Sequence, residues 1–193
     1  ELFMDAIHQL VQLDSAWVPQ NKGCSLYIRP FIFASEELLG VRPAEEYKFM
    51  IITSPVCSYY TGAVDVKIET HYTRAAEGGV GFAKAAGNYA AALYPAKLGQ
   101  EKGFKQLIWT DAKNHEYIEE SGTMNVMFLI DNKIITPSIS LNTTLAGITR
   151  DSVLKLAQEM GIEVEERRVA VKEIVEAARN NRLQDAFGTG TAA

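Results

Sequence analysis

Apolar residues near the start of the chain recur at helical spacing. Leu2, Phe3, Ala6, Ile7, Leu10 and Val11 predict an amphipathic helix that ends near Asp14, before Trp17-Val18-Pro19. Residues 25–33 then read as a strand, with Pro30 favouring an edge position or the strand's end. After a loop over residues 40–45, strands are predicted at 47–53 and 63–71, punctuated by Ser54-Pro55 and Thr61-Gly62. An alanine-rich helix over residues 88–102 closes at Gly103. Strands follow at 105–110, 117–119 and 125–130, and Asp131-Asn132 makes a tight hairpin turn into 133–136. A helix over 150–160 stops at Gly161, and a strand over 162–169 leads into a helix over 171–180. Many strands with a few interspersed helices predict an α+β fold with mixed sheets rather than a doubly wound one.

Composition narrows the function more than the fold. The 193 residues are 47% apolar and 22% charged, within the ordinary globular range. The net charge of −5, without a basic block or aromatic-basic interleaving, argues against a nucleic-acid partner. No apolar run approaches membrane-spanning length, so no membrane partner is expected either. Cys24 and Cys57 are isolated, which leaves a disulfide open but gives no secreted framework, and the cytoplasm is the default location. His8, His71 and His115 are scattered, so no metal ligand set is visible. Glu1 runs at once into the first helical pattern, and the chain stops at Gly190-Thr191-Ala192-Ala193, directly after a predicted strand. Both ends predict a fragment.

The densest chemical signal is Glu77-Gly78-Gly79-Val80-Gly81-Phe82-Ala83-Lys84-Ala85-Ala86-Gly87-Asn88-Tyr89. Small neighbours leave room for a flat ligand and offer little to solvate the Lys84 ammonium, which favours the neutral amine that attacks carbonyls. A surface lysine in a glycine-rich loop fits the same stretch equally well. Leu145-Ala146-Gly147-Ile148-Thr149 precedes a helix whose first N–H groups suit an anion, although Thr149 could simply cap that helix. Gly188-Thr189-Gly190-Thr191 offers a second set of donors, or an ordinary turn. Glu119 and Glu120 stand at a strand end, where alternation turns them opposite ways: one towards a ligand, the other into a solvated turn. Tyr27 and Arg29 share one strand face and together suit a carboxylate, or a structural ion pair.

Five segments in order carry a family resemblance: SLYIRPFIF, GGVGFAKAAGNYAAALYPA, YIEESGTMN, LAGITRDSVLKLA and GTGTAA. Over residues 25–193 the chain resembles the branched-chain amino-acid aminotransferases, pyridoxal-phosphate enzymes of class IV. The resemblance implies a D-amino-acid-aminotransferase-like two-domain α+β fold, truncated here at both ends. Residues 1–54 would belong to the small domain, 55–62 to the linker and 63–193 to the large cofactor-binding domain. It also implies that Lys84 is the Schiff-base lysine and that Tyr89 bonds the cofactor's phenolic oxygen. Glu120, not Glu119, would face the pyridine nitrogen, and Leu145 would pack on the ring. Ile148 and Thr149 would hold the phosphate, helped by Arg74 and Thr189, with Gly147 and Thr123 as further cofactor contacts. Tyr27, Arg29, Thr191 and Ala192 would meet the substrate. Ala86 stands where the family usually has glycine, and the family has further sequence on both sides, including a phosphate-binding arginine ahead of Glu1.

The implied reaction moves the amino group of L-leucine, L-isoleucine or L-valine to 2-oxoglutarate, with Lys84 as base and then acid, in a homodimer. Tyr27, Arg29 and GTMN favour this member of the fold over a D-amino-acid aminotransferase or an aminodeoxychorismate lyase. Lys84, Tyr89 and Glu120 together argue against a non-catalytic fragment.

Overall fold

In the computed structural model, which describes residues 1–57 and 62–191, the chain forms two units, Glu1–Thr61 and Gly62–Ala193. Half of the predicted linker, residues 58–61, lies outside the described residues.

The first unit is a helix and a hairpin. Helix α1 (Leu2–Leu13) carries its apolar stripe to the hairpin, where Phe3 meets Phe49 with ring centroids 5.8 Å apart. Strands β1 (Ser25–Ala34) and β2 (Tyr47–Val56) pair antiparallel from Ser25↔Val56 to Ala34↔Tyr47. In a two-stranded sheet every strand is an edge, so Pro30 and Pro55 sit inside strands without breaking them, and β2 runs further than predicted. The same register places Cys24 opposite Cys57, and a disulfide joins them with Cα atoms 4.0 Å apart.

The second unit stacks two four-stranded sheets between helices. One sheet has the order β3 (Val66–Ile68), β4 (Gln106–Thr110), β5 (Tyr117–Ser121), β9 (Val169–Ala170). The other has the order β10 (Leu183–Thr189), β6 (Asn125–Ile130), β7 (Lys133–Pro137), β8 (Glu163–Arg167). Strand alternation sorts the core. Ile108 and Ile118 from the first sheet meet Val126, Phe128, Ile130 and Ile135 from the second, closed by Ile174 and Ala177 of α4 (Val171–Arg179). On the outer faces, Leu107 and Trp109 pack on Ala92 of α2 (Ala86–Glu101), while Met127 and Ile134 pack on Leu154 and Ala157 of α3 (Ile148–Glu159). Strands covered on both faces read as nearly continuous apolar runs, which is how QLIWT and NVMFLI appear in the sequence.

Candidate active site

The chain enters the site through an irregular segment held by side chains. Gly81 lies so close to the loop after β7 that a Cβ there would stand 2.6 Å from the Thr143 carbonyl oxygen. Asn88, buried in the first turn of α2, donates from Nδ2 to the carbonyls of Val80 (2.8 Å) and Ala83 (2.9 Å). Those two bonds fix the backbone immediately before Lys84. Lys84 Nζ donates to the Tyr89 hydroxyl at 3.2 Å and stands 5.6 Å from its ring centroid.

Lys84 is exposed, as the surface-lysine alternative has it, and not desolvated by its neighbours. Glycine and alanine have no side chain long enough to wrap a lysine, so the same small residues that leave room for a ligand also leave the ammonium open to water.

The paired acids of β5 differ from expectation. Both are buried, because both faces of β5 are covered, and neither forms a solvated turn. Each grips the segment between β7 and α3. Glu119 bonds the Thr143 side chain, and its other oxygen, Oε2, has no partner among the described residues. Glu120 Oε1 accepts from the Leu145 N–H at 2.6 Å, and Oε2 pairs with Arg74 Nη2 at 2.9 Å. The rest of the Arg74 guanidinium is committed to carbonyls, Thr143 at 3.0 Å and Gly81 at 3.5 Å.

Burial pushes the Glu120 carboxyl up to about 7. The Arg74 charge and the Leu145 N–H pull it down, Glu119 pushes it further up, and the Lys84 charge also pulls it down, which places the lysine within electrostatic reach of this carboxylate. Burial likewise raises Glu119. A carboxyl lifted above its ordinary value of 4.5 keeps its proton in the folded state after the unfolded chain has lost it. Its contribution to stability is therefore complete below 4.5 and is lost as the pH climbs to about 7. In thermal melts of cofactor-free protein, Glu120→Gln should gain on the parent across that window. A constant difference between the two would show that Glu120 titrates normally.

At the other end of the site, α3 starts at Ile148, two residues earlier than predicted. Its N-cap is Gly147, which has no side chain to cap the first turn. The N–H groups of Ile148, Thr149 and Arg150 have no intrahelical acceptor, and they carry the positive end of the helix dipole. Thr149 is the second residue of α3 rather than its cap, and its hydroxyl makes no hydrogen bond among the described residues. Thr189, at the end of β10 and paired in register with Asn125, is buried with its Oγ1 unpartnered. A phosphate is the kind of group that satisfies such a set of open N–H groups and two hydroxyls, and Asp151, the acid of the first turn, is paired with Lys155 at 2.7 Å. Thr123 is exposed at the tip of the turn that closes between Ser121 and Met124, and Thr191 is exposed just beyond β10. Ala192 lies outside the described residues.

In the first unit, Tyr27 and Arg29 do share a face of β1. Arg29 Nη2 donates to the Tyr27 hydroxyl at 3.0 Å, and its guanidinium lies 5.0 Å from the ring centroid. Sequence reasoning gave no role to Asn88 or Asn125. The available signal was polarity in the wrong place: an amide near the start of an apolar helix or strand has to be paired if it is buried.

Residues 1–191 match the family model described as amino-transferase class IV. Branched-chain-amino-acid transaminase 1 of Bacillus subtilis (strain 168) is 46% identical over 197 residues, covering 100% of this chain and 55% of the relative. Among solved structures, the branched-chain amino acid aminotransferase of Escherichia coli is 32% identical with a TM-score of 0.73, over 88% of this chain and 55% of that one. An aminotransferase from Brucella abortus bound to the cofactor PLP is 25% identical with a TM-score of 0.80, over 97% of this chain and 64% of that one. The chain thus spans about half the length of the curated relatives it matches. Among the described residues, no helix is long and apolar enough to cross a membrane.

Proposed function

The chain belongs to the amino-transferase class IV family, and we propose that its protein uses pyridoxal 5'-phosphate to transfer the amino group of L-leucine, L-isoleucine or L-valine to 2-oxoglutarate. The products are branched-chain 2-oxo acids and L-glutamate. The observation that carries the proposal lies within one unit: an open lysine bonded to a tyrosine, within charge range of a buried carboxylate, with an unpartnered threonine hydroxyl near an uncapped helix start.

Each residue has a task that its surroundings support. Lys84 Nζ is the amine that holds the cofactor and then takes up the proton removed from the substrate's Cα, returning it later as an acid. Its exposure leaves the amine accessible, and the Tyr89 hydroxyl fixes where it points. Glu120 presents a carboxylate to the ring nitrogen, and Arg74 opposes the burial that would otherwise neutralise it. The N–H groups at the start of α3, with the Thr149 and Thr189 hydroxyls, receive the phosphate, and Leu145 backs the ring. When bound, pyridoxal phosphate supplies the electron sink for the bond broken at the substrate's Cα. Tyr27 and Arg29 take the substrate's side, where glutamate's second carboxylate must be accepted, and Thr191 and Ala192 offer backbone amides to the α-carboxylate.

Leu93 and Tyr94, exposed on α2 at 71% and 60%, offer apolar area for a second copy, and a homodimer is the assembly proposed. In the cytoplasm, the proposed location, Cys24 and Cys57 would be held as thiols.

The test is a panel of L- and D-amino acids with 2-oxoglutarate, run on the full-length protein. Leucine, isoleucine and valine should turn over fastest, giving glutamate. Preference for D-amino acids, or pyruvate release from aminodeoxychorismate, would move the chain elsewhere in its family.

A further inference from the structure

One buried amide touches both ends of the proposed cofactor site. Asn125 opens β6 at 5% exposure. Its Nδ2 donates to the Leu145 carbonyl at 2.8 Å and stands 3.5 Å from Glu120 Oε1, the oxygen that also receives the Leu145 N–H. Its Oδ1 lies against Gly147, where a Cβ would stand only 2.2 Å away. Across the strand pair its register partner is Thr189, whose hydroxyl is unpartnered. A single side chain therefore contacts the carboxylate meant for the ring nitrogen, the residue meant to back the ring and the N-cap of the helix meant for the phosphate.

We infer that Asn125 is a positioning residue, the spacer that sets the distance between Glu120 and the start of α3 so that one rigid cofactor satisfies both. The inference rests on the function proposed above. The chemistry requires an amide at this position. Ionised aspartate would set a second negative charge beside Glu120 and point an acceptor at the Leu145 carbonyl. Alanine would remove one of the two donors to that carbonyl, leaving it the Gly147 N–H at 2.9 Å, and would open space beside Gly147. Leucine or another large apolar residue has no donor and would press on Gly147. Protonated aspartate, by contrast, keeps a donor for Leu145 and an oxygen for Gly147. That difference separates positioning from simple packing.

The experiment measures the dissociation constant of pyridoxal 5'-phosphate for full-length parent, N125A and N125D by titration of the cofactor's absorbance, from about pH 5.5 to about pH 8.5, across the span where carboxyls titrate. N125A should bind roughly tenfold more weakly than parent, the cost of the lost amide hydrogen bond and of the space opened beside Gly147, at a ratio that changes little with pH. For N125D the ratio to parent should grow at least about tenfold from the low to the high end, as its carboxyl ionises. An N125A constant within about twofold of the parent's, or a flat N125D ratio, would overturn the role of Asn125. Should N125A not fold, the N125D profile decides alone. A parent that takes up no cofactor overturns the functional reading instead, and so separates the two failures.

Discussion

Lys84→Ala should reduce transamination by about 10⁴-fold or more, because one side chain supplies both the nucleophile and the proton carrier. The fold should be untouched: Lys84 is exposed, its hydrogen bond is to the Tyr89 hydroxyl, and the backbone before it is held by Asn88 rather than by the lysine. Cofactor uptake should weaken but persist, since the groups at the start of α3, Thr189 and Glu120 do not depend on Lys84. Two measurements check this. Borohydride reduction should fix the cofactor to the parent and not to the variant, and single-turnover assays should show the missing proton transfer. Turnover within about tenfold of the parent's without added amine would remove Lys84 from the mechanism.

Where the hydropathy pattern had one interpretation, the elements formed as it predicts. Asn125–Ile130, the hairpin turn and Lys133–Pro137 are the clearest case, because Asp131 and Asn132 both adopt positive φ, 49° and 62°, as a two-residue hairpin requires. The misses come from contacts that no local pattern encodes. The strand predicted over residues 63–71 is only Val66–Ile68, because Glu69 turns its carboxylate back onto the N–H groups of His71 and Tyr72 and bends the chain out of the sheet. The strand predicted over 162–169 splits at Arg168: up to Arg167 the chain pairs with β7, and from Val169 it pairs with β5 in the other sheet. Arg168 marks the crossing by stacking 3.8 Å from the Tyr117 ring centroid. Nothing in the sequence EVEERRVAV punctuates that switch.

The site divides along the same line. Groupings set by a local motif were legible: Lys84 with Tyr89 five residues on, Tyr27 with Arg29 two apart, and a glycine before a helix. What holds those groups in place was not, because it depends on pairs far apart in sequence. Asn125 with Leu145, Glu120 with Leu145, and Arg74 with Thr143 all meet at the segment between β7 and α3. The resemblance to the family implies roles for individual residues and leaves this framework unassigned.

Arg74 is where framework and chemistry meet, and Arg74→Met should have the largest effect on stability. Its side chain is 6% exposed, that of Glu120 is 3% exposed, and the guanidinium also satisfies the Thr143 and Gly81 carbonyls. Removing one partner of a buried ion pair costs roughly 3–5 kcal/mol, because the remaining charge stays buried without its counterion. The size of the loss should depend on pH in a way that identifies its source. With Arg74 gone, its downward pull on Glu120 disappears, so the carboxyl rises further above about 7. At acidic pH Glu120 is already neutral, and adding Glu120→Gln to Arg74→Met should change little. Above neutrality the single variant must either bury a bare carboxylate or spend free energy keeping its proton, and the added Glu120→Gln should restore part of the loss. Denaturant titrations of the two variants on both sides of neutrality measure this directly. Equal stabilities at alkaline pH would mean that Arg74 supports the fold only through its bonds to the Thr143 and Gly81 carbonyls, with no electrostatic part in holding the Glu120 carboxylate.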